Sequence, residues 1–368
     1  MSQRTKIGYL GLAVSLALAV LAASLTWAAK PPPAPPPPLT NPALVYVEMQ
    51  SNVYLGHYQG SICLMTADGS ATRQLVRLSG GYVHRPTWSH DGSQIAFLHQ
   101  PNTKKPWMDL YTVAPDGSGL QKVRSFSGAG FHRPNPFFGL SWTPDDTKIA
   151  YTCGECGQVA ILDLLSGEIG HLPLLYPGEA GQSGLDFGPD LDPGKPGFQG
   201  LVAYGSGYWW TPQIAVVAVE ITNDGTGALH INADEPVILE WQPMEGGGPV
   251  NQRGVAWSPD GRSLAYSQHN GRFIMLVDVD ASSGVPVFGP PRVLWMRGSD
   301  SGTYAEYECQ AAQKPAWSPD GQYVAFVSNI EVARIRTDGT GLTWLSSLQD
   351  KQWAVDPHWN PAWVNDLP

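Results

Sequence analysis

In the stretch AWSPDGRSLAYS, Ala256 to Ser267, an aromatic residue is followed by a polar, turn-forming run and then by a short apolar alternation. Leu264 and Tyr266 alternate with Ser263 and Ala265, the period of a strand packed between neighbouring sheets. Pro259 presets φ for a turn, Asp260 can bond its own backbone, and Gly261 can take positive φ. The pattern predicts a strand ending at Trp257, a tight turn and a second strand. It recurs as AWSPDGQYVAFVS at Ala316–Ser328 and TWSHDGSQIAFLH at Thr87–His99, and more loosely as SWTPDDTKIAYTC at Ser141–Cys153. One such string is a turn signal; repeated copies, each with the same following strand, are an architecture.

The spacing of the copies predicts the fold. Trp88, Trp142, Trp257, Trp317 and Trp359 are equivalent positions, and the long gap after Trp142 holds a degenerate copy, LDFGPD at Leu185–Asp190, with Phe187 in the aromatic slot and GLVAYGS as its second strand. Six units of roughly 40–70 residues suit four-stranded propeller blades with variable loops. Third and fourth strands around an Asp-Gly turn follow, as in DLYTVAPDGSGLQKV from Asp109, QIAVVAVEITNDGTG from Gln213 and EVARIRTDGTGLTWL from Glu331. The strands LVYVEM from Leu44 and ICLMTADGSATRQLV from Ile62 have no preceding arm, whereas PHWNPAW, Pro357 to Trp363, is an arm with nothing after it. The two halves complete one blade. The expectation is an all-β, six-bladed propeller over residues 43–368, closed by pairing of its N- and C-terminal strands, which removes free sheet edges.

The repeat Pro-x-Trp-Ser-Pro-Asp-Gly-x-x-aliphatic-Ala-aromatic resembles the propeller repeat of the TolB family, and also the N-terminal propellers of prolyl-oligopeptidase-type enzymes. The resemblance covers residues 42–368 and implies the fold; propellers host many functions, so it implies little about activity. In the TolB family an α/β domain, used to contact an inner-membrane partner, precedes the propeller. Here only residues 1–42 do, so the resemblance is to the propeller alone.

Those residues read as targeting and spacing. Arg4 and Lys6 precede an uncharged run, residues 7–25, IGYLGLAVSLALAVLAASL. This is the pattern of a signal peptide or signal anchor over residues 1–29, and the run is long enough to span a bilayer. Cleavage near Ala23 or Ala28 and retention as an anchor are both open. No cysteine precedes Cys63, which excludes a lipoprotein anchor. Residues 30–42, KPPPAPPPPLTNP, favour polyproline II, a semi-rigid linker; a ligand for a proline-binding module is the other reading.

Composition agrees with export. Beyond residue 30 the chain has 19 Lys and Arg against 32 Asp and Glu, a net charge of −13, so nucleic acid is not expected as a partner. The four cysteines are few. Cys153 and Cys156, in CGECG between two predicted strands, are a disulfide candidate in an oxidising compartment, with a redox-active or free pair as the alternative. Cys63 lies in a predicted strand and reads as a buried apolar residue.

No cofactor is expected: no His follows Cys156 for haem attachment, and the nine His form neither an i, i+4 nor an H-x-H pair. The nearest string to a nucleophile elbow, GQSGL from Gly181, has Leu185 where the second Gly belongs. The sequence ends at Pro368, soon after the last arm, so no hydrolase domain is expected after the propeller.

Loops joining second to third strands, and one blade to the next, share one face of a propeller. Arg85, Arg133, Arg253, Lys314 and the Trp209–Trp210 pair all fall there, giving a candidate ligand or partner face. Exposed aromatics stack on sugars or anchor proteins, and Arg or Lys suits a carboxylate or phosphate; packing among blade-top aromatics is the competing reading for Trp209 and Trp210. Two functional classes follow. The first is a non-catalytic binding platform in the cell envelope, periplasmic or extracellular, for a protein or glycan, with membrane anchoring through residues 7–25. The second is a metal-dependent carbohydrate-active enzyme resembling propeller polysaccharide lyases, its ligands gathered from several blades.

Overall fold

Ile95, Ala96, Phe97 and Leu98 are all buried, and their alternation shows how the sheets stack. Ile95 and Phe97 pack into one hydrophobic cluster with Val45, Val47, Ile62 and Leu64, while Ala96 and Leu98 pack into another with Leu140, Trp142 and Ile149. A strand covered on both faces needs apolar residues at every position, and successive side chains serve opposite neighbours. The same division produces six clusters, one between each pair of consecutive sheets.

The computed structural model describes residues 39–52, 57–101, 107–127, 139–153, 158–172, 184–192, 197–206, 213–223, 228–239, 252–268, 272–297, 313–328, 331–346 and 352–364. They form six antiparallel sheets and no helix. The first sheet is composite, in the order Gln352–Trp359, Leu44–Asn52, His57–Met65, Thr72–Arg77. The second comprises Tyr82–Trp88, Ile95–Gln100, Trp107–Val113 and Gln121–Ser127, and the third Leu140–Trp142, Lys148–Cys153, Gln158–Asp163 and Ile169–His171. The fourth runs Leu185–Asp190, Phe198–Ser206, Gln213–Asn223, Leu229–Ala233, with Val237–Ile238 also on its third strand. The fifth runs Gln252–Trp257, Ser263–Gln268, Phe273–Asp280, Val287–Phe288, with Arg292–Met296 also on its third strand. The sixth runs Gln313–Trp317, Tyr323–Ser328, Glu331–Arg336, Thr343–Trp344. This is a six-bladed β-propeller.

In the composite sheet Leu44 stands opposite Trp359 and Met49 opposite Trp353. Phe187 occupies the aromatic slot of the fourth blade, 4% exposed, and its strand pairs with Phe198–Ser206. The Ser-x-Asp-Gly turns, with Pro259 and Pro319 at the second position and His90 in their place in the second blade, form as their residues dictate: the N–H of Gly92, Gly261 and Gly321 donates to the carbonyl of Ser89, Ser258 and Ser318 at 2.9–3.0 Å. The hydroxyls of Ser89 and Ser258 donate to Asp91 and Asp260 at 2.7 and 2.6 Å. The hairpin Lys148–Asp163 puts Cys153 opposite Gln158, directly before residues 154–157. Cys63 is buried, 3% exposed; burial, with Glu48 nearby, pushes its thiol up to about 12, so it is inert as a nucleophile. Residues 1–38, which carry the targeting reading and all but the last four residues of the linker reading, lie outside the described residues, among which no helix is long and apolar enough to cross a membrane.

Candidate functional site

Aligned on Trp88, Trp142, Phe187, Trp257, Trp317 and Trp359, the first strands of the six blades place equivalent residues at equivalent depths around a central channel. Three positions before the aromatic residue stand Arg85, Gly139, Gly184, Gly254, Lys314 and Asp356. In blade order Lys314, Asp356 and Arg85 are consecutive, and so are the three glycines. The glycine half is closed to side chains: a Cβ on Gly184 would lie 2.8 Å from the backbone nitrogen of Val255, and one on Gly254 would lie 2.9 Å from the Cα of Lys314.

The charged half carries strain instead. Arg85, Lys314 and Asp356 have φ of 56°, 45° and 54°, a conformation costing non-glycine residues about 1–3 kcal/mol each. The ladder shifts register between His84 and Thr87, between Gln313 and Ala316, and opposite Asp356 between Val45 and Val47. Pro86, Pro315 and Pro357 follow directly; a residue with no N–H is tolerated at such bulges.

Arg85 and Asp356 are locked together. The backbone N–H of Arg85 donates to Asp356 Oδ2 at 3.0 Å and its Nη1 donates to Oδ1 at 2.9 Å, with the side chains 3% and 8% exposed. Burial works to raise the Asp356 carboxyl, but Arg85 and Lys314 outweigh it and hold Asp356 below the ordinary carboxylate range. Lys314 is surrounded by protein yet reached from the channel, and among the described residues it forms no ion pair. Burial, then repulsion from Arg85, lowers it to about 7 against the pull of Asp356 and Asp186. Burial also lowers His84, beside this trio, to about 4.

A second polar layer lies one position before the aromatics: Thr87, Ser141, Asp186, Ala256, Ala316 and His358. Here the innermost strands are sheet edges, and side chains of one blade cap backbone N–H groups of the next. Asp186 Oδ2 accepts from the Trp257 N–H at 2.8 Å and its Oδ1 from the Ser141 hydroxyl at 3.2 Å. Burial raises Asp186 to about 6, against those bonds and the nearby His90 and Lys314. His358 Nδ1 accepts from the Trp88 N–H at 3.5 Å, which leaves Nε2 to donate to Thr87 Oγ1 at 3.3 Å. Burial lowers His358 to about 3, so it stays neutral at physiological pH.

Between the charged layer and the Ser-Pro-Asp-Gly turns the channel encloses a cavity of about 310 Å³. Its walls include one apolar residue from each first strand, Pro86, Leu140, Leu185, Val255, Pro315 and Pro357. Lys314, Asp186 and His358 contribute polar groups, and Trp257, Trp317 and Trp359 large faces. At the turn end, the position held by Pro144, Pro259, Pro319 and Pro361 is taken in the second blade by His90, whose Nδ1 lies 3.1 Å from Asp146 Oδ1. The tryptophan donors divide. Trp142 Nε1 donates to the Thr87 carbonyl and Trp317 Nε1 to the Ala256 carbonyl, each at 3.2 Å. The buried Nε1 of Trp88, Trp257 and Trp359 finds no partner among the described residues.

Of the residues singled out from sequence, Arg85 and Lys314 come together at one level of this channel. Arg253 lies in the adjoining strand Gln252–Trp257, opposite Ser267, with only its backbone described. Arg133, Trp209, Trp210 and Cys156 lie outside the described residues, as does the side chain of Cys153. Asp356, Asp186 and His358 were not anticipated, although the alignment on the aromatic slot puts all three in the frame. Among the described residues no group of three or more His, Cys, Asp or Glu is placed to hold a metal ion.

Fold and channel define the class: a six-bladed propeller with a polar, partly charged central channel. No protein-family model matches the chain, and no curated protein matches it. Solved structures do match in fold. The propeller is similar to TolB from Acinetobacter baumannii, with 17% identity and a TM-score of 0.56 over 88% of this chain and 68% of that one. Weaker similarity extends to a periplasmic gluconolactonase from Pseudomonas aeruginosa, 13% identical with a TM-score of 0.45 over 86% of this chain and 99% of that one. At these identities the likeness is one of fold.

Proposed function

We propose that the chain is an exported, non-catalytic binding platform of the cell envelope, and that a protein or glycan partner docks at the loop-side mouth of its channel. The observation that carries this reading is the trio Arg85, Asp356 and Lys314. Three charged residues are held in strained backbone at one end of a cavity, with one cation in no ion pair among the described residues; strain and desolvated charge concentrate where binding exploits them. Arg133, Arg253, Trp209 and Trp210 extend the reading outward as the basic and aromatic rim. Export, and anchoring through residues 7–25, rests on the basic and apolar pattern of the N-terminus. The same reading takes the pairing of Leu44–Asn52 with Gln352–Trp359 as what closes the ring.

Cross-linking in the native cell, followed by identification of the captured molecule, gives the partner. Arg133→Glu, Arg253→Glu and Trp209→Ala are then compared for capture, each checked for unchanged melting. Arg85 is left alone because it is buried in an ion pair, so its reversal would report on folding. Loss of capture in these variants supports the reading. If capture survives all three and is abolished by Asp116→Ala or Asp338→Ala on the opposite, turn-bearing face, the assigned face is wrong.

A further inference from the structure

The cavity is asymmetric in its hydrogen-bonding groups. Its side-chain acceptors are in use: both Asp186 oxygens receive bonds, and His358 Nδ1 accepts from the Trp88 N–H. Its cationic donor is not. Lys314 lines the cavity and pairs with no carboxylate among the described residues. Moreover, where Asp186 and His358 cap the N–H of the next blade's aromatic residue, the equivalent positions before Trp317 and Trp359 hold Ala256 and Ala316, whose methyl groups cannot accept. The sector between the fifth, sixth and composite blades therefore presents the Lys314 amine to the cavity with no carboxylate paired to it among the described residues. A desolvated donor left without an acceptor is costly, and a ligand oxyanion would satisfy Lys314.

We infer that the cavity is a site for a carboxylate carried on a compact apolar body. The carboxylate sits against Lys314; the apolar body sits within the ring formed by Pro86, Leu140, Leu185, Val255, Pro315 and Pro357. The volume, about 310 Å³, is at the small end for ligand pockets and holds a single ring or a branched chain. A second anionic group is disfavoured, because Asp186 already faces the cavity and the other cation of the trio, Arg85, is engaged by Asp356. The carboxylate comes either from a free monocarboxylic acid or from the C-terminal residue of a peptide, and the chemistry at Lys314 is the same. The inference rests on the channel being the binding region, but not on the identity of the rim partner.

Binding is coupled to protons. Among the described residues, the titratable and charged groups around the site are Lys314, Asp186, Asp356, Arg85, His84, His90 and His358. An anion beside Lys314 favours its ammonium, which burial otherwise disfavours, so affinity rises as pH falls through the neutral range.

The test uses the whole protein, without the rim partner, titrated calorimetrically with 3-phenylpropionate and with its uncharged amide. N-acetyl-glycyl-phenylalanine and its amide form a second arm that distinguishes a free acid from a chain end. Saturable binding of at least one acid, with its amide weaker by about tenfold or more, is the expected result. Lys314→Gln should lose a similar factor and Lys314→Arg should retain most of the affinity, each with a cooperative melt. Wild-type affinity should be higher at about pH 6 than at about pH 9. Amides that bind as well as acids, or an acid whose affinity ignores Lys314→Gln, would overturn the inference, as would no binding of either acid. Loss of this binding with partner capture intact would overturn the carboxylate site and leave the platform reading standing.

Discussion

Arg85 and Asp356 are 271 residues apart in sequence and share two hydrogen bonds in the channel wall, one from the Arg85 backbone and one from its guanidinium. The pair joins the second blade to the last strand of the chain. Both side chains are buried, so neither charge has water to fall back on.

Removing one partner should therefore cost more than removing both. Arg85→Met or Asp356→Asn alone should destabilise the protein by about 3–5 kcal/mol, because each leaves a buried group uncompensated. The double variant should recover part of that loss. Urea unfolding of the four-member cycle measures the coupling; strictly additive losses would mean the pair is not an energetic unit.

Lys314 makes a prediction with a definite sign. Its folded pKa, about 7, lies below the unfolded value, so the folded state prefers the neutral amine. The stability this group contributes is present above the unfolded value of about 10.4 and is lost as pH falls through about 7. Lys314→Gln should then stabilise the protein by up to about 4 kcal/mol near pH 7, with a gain that shrinks toward zero above about pH 10.4. Urea midpoints measured across that range check it; a gain independent of pH would show that the ammonium is solvated in the fold.

The composite sheet should be indispensable. A chain ending at Asp350 leaves Leu44–Asn52 as a bare edge and strips Ala354, Trp359 and Trp363 from a cluster they share with Tyr46 and Tyr323. Such a variant should be insoluble or lack a cooperative transition. A truncated protein that melts like the intact one would show that the pairing does not hold the ring.

Cys153 and Cys156 should form a disulfide in the exported protein, across the link between two paired strands. So short a loop should add about 2 kcal/mol at most. Intact mass after alkylation without reduction counts the free thiols, and two labels on this segment would exclude the bond.

The repeat was legible because each copy carries its own instructions: a strand-ending tryptophan, a turn with Pro, Asp and Gly, and an alternating strand. Even the degenerate fourth copy could be placed, since Phe187 supplies the same buried bulk as a tryptophan. The site was legible only in part. Arg85 and Lys314 stand out as basic residues ahead of the arms, but their environment depends on which blades flank them. Nothing local in Val355-Asp356-Pro357 announces a partner for Arg85. Nor does sequence reveal that Gly254 is pressed against Lys314, which confines side chains to one half of the ring. Contacts between first strands join residues far apart in the chain and are not set by local sequence.

The composite sheet also has a mechanical meaning. Leu44–Asn52 is flanked on both sides, by Gln352–Trp359 and by His57–Met65, and the backbone just before it is tied in as well. The Asn360 N–H donates to the Ala43 carbonyl at 2.7 Å, and its side-chain amide donates to the Pro42 carbonyl at 3.0 Å. A pull on the chain along this strand from Leu39 would load two antiparallel ladders in shear, with their hydrogen bonds sharing the force, instead of peeling one edge bond by bond. The strand at which the propeller begins is thus built to bear tension.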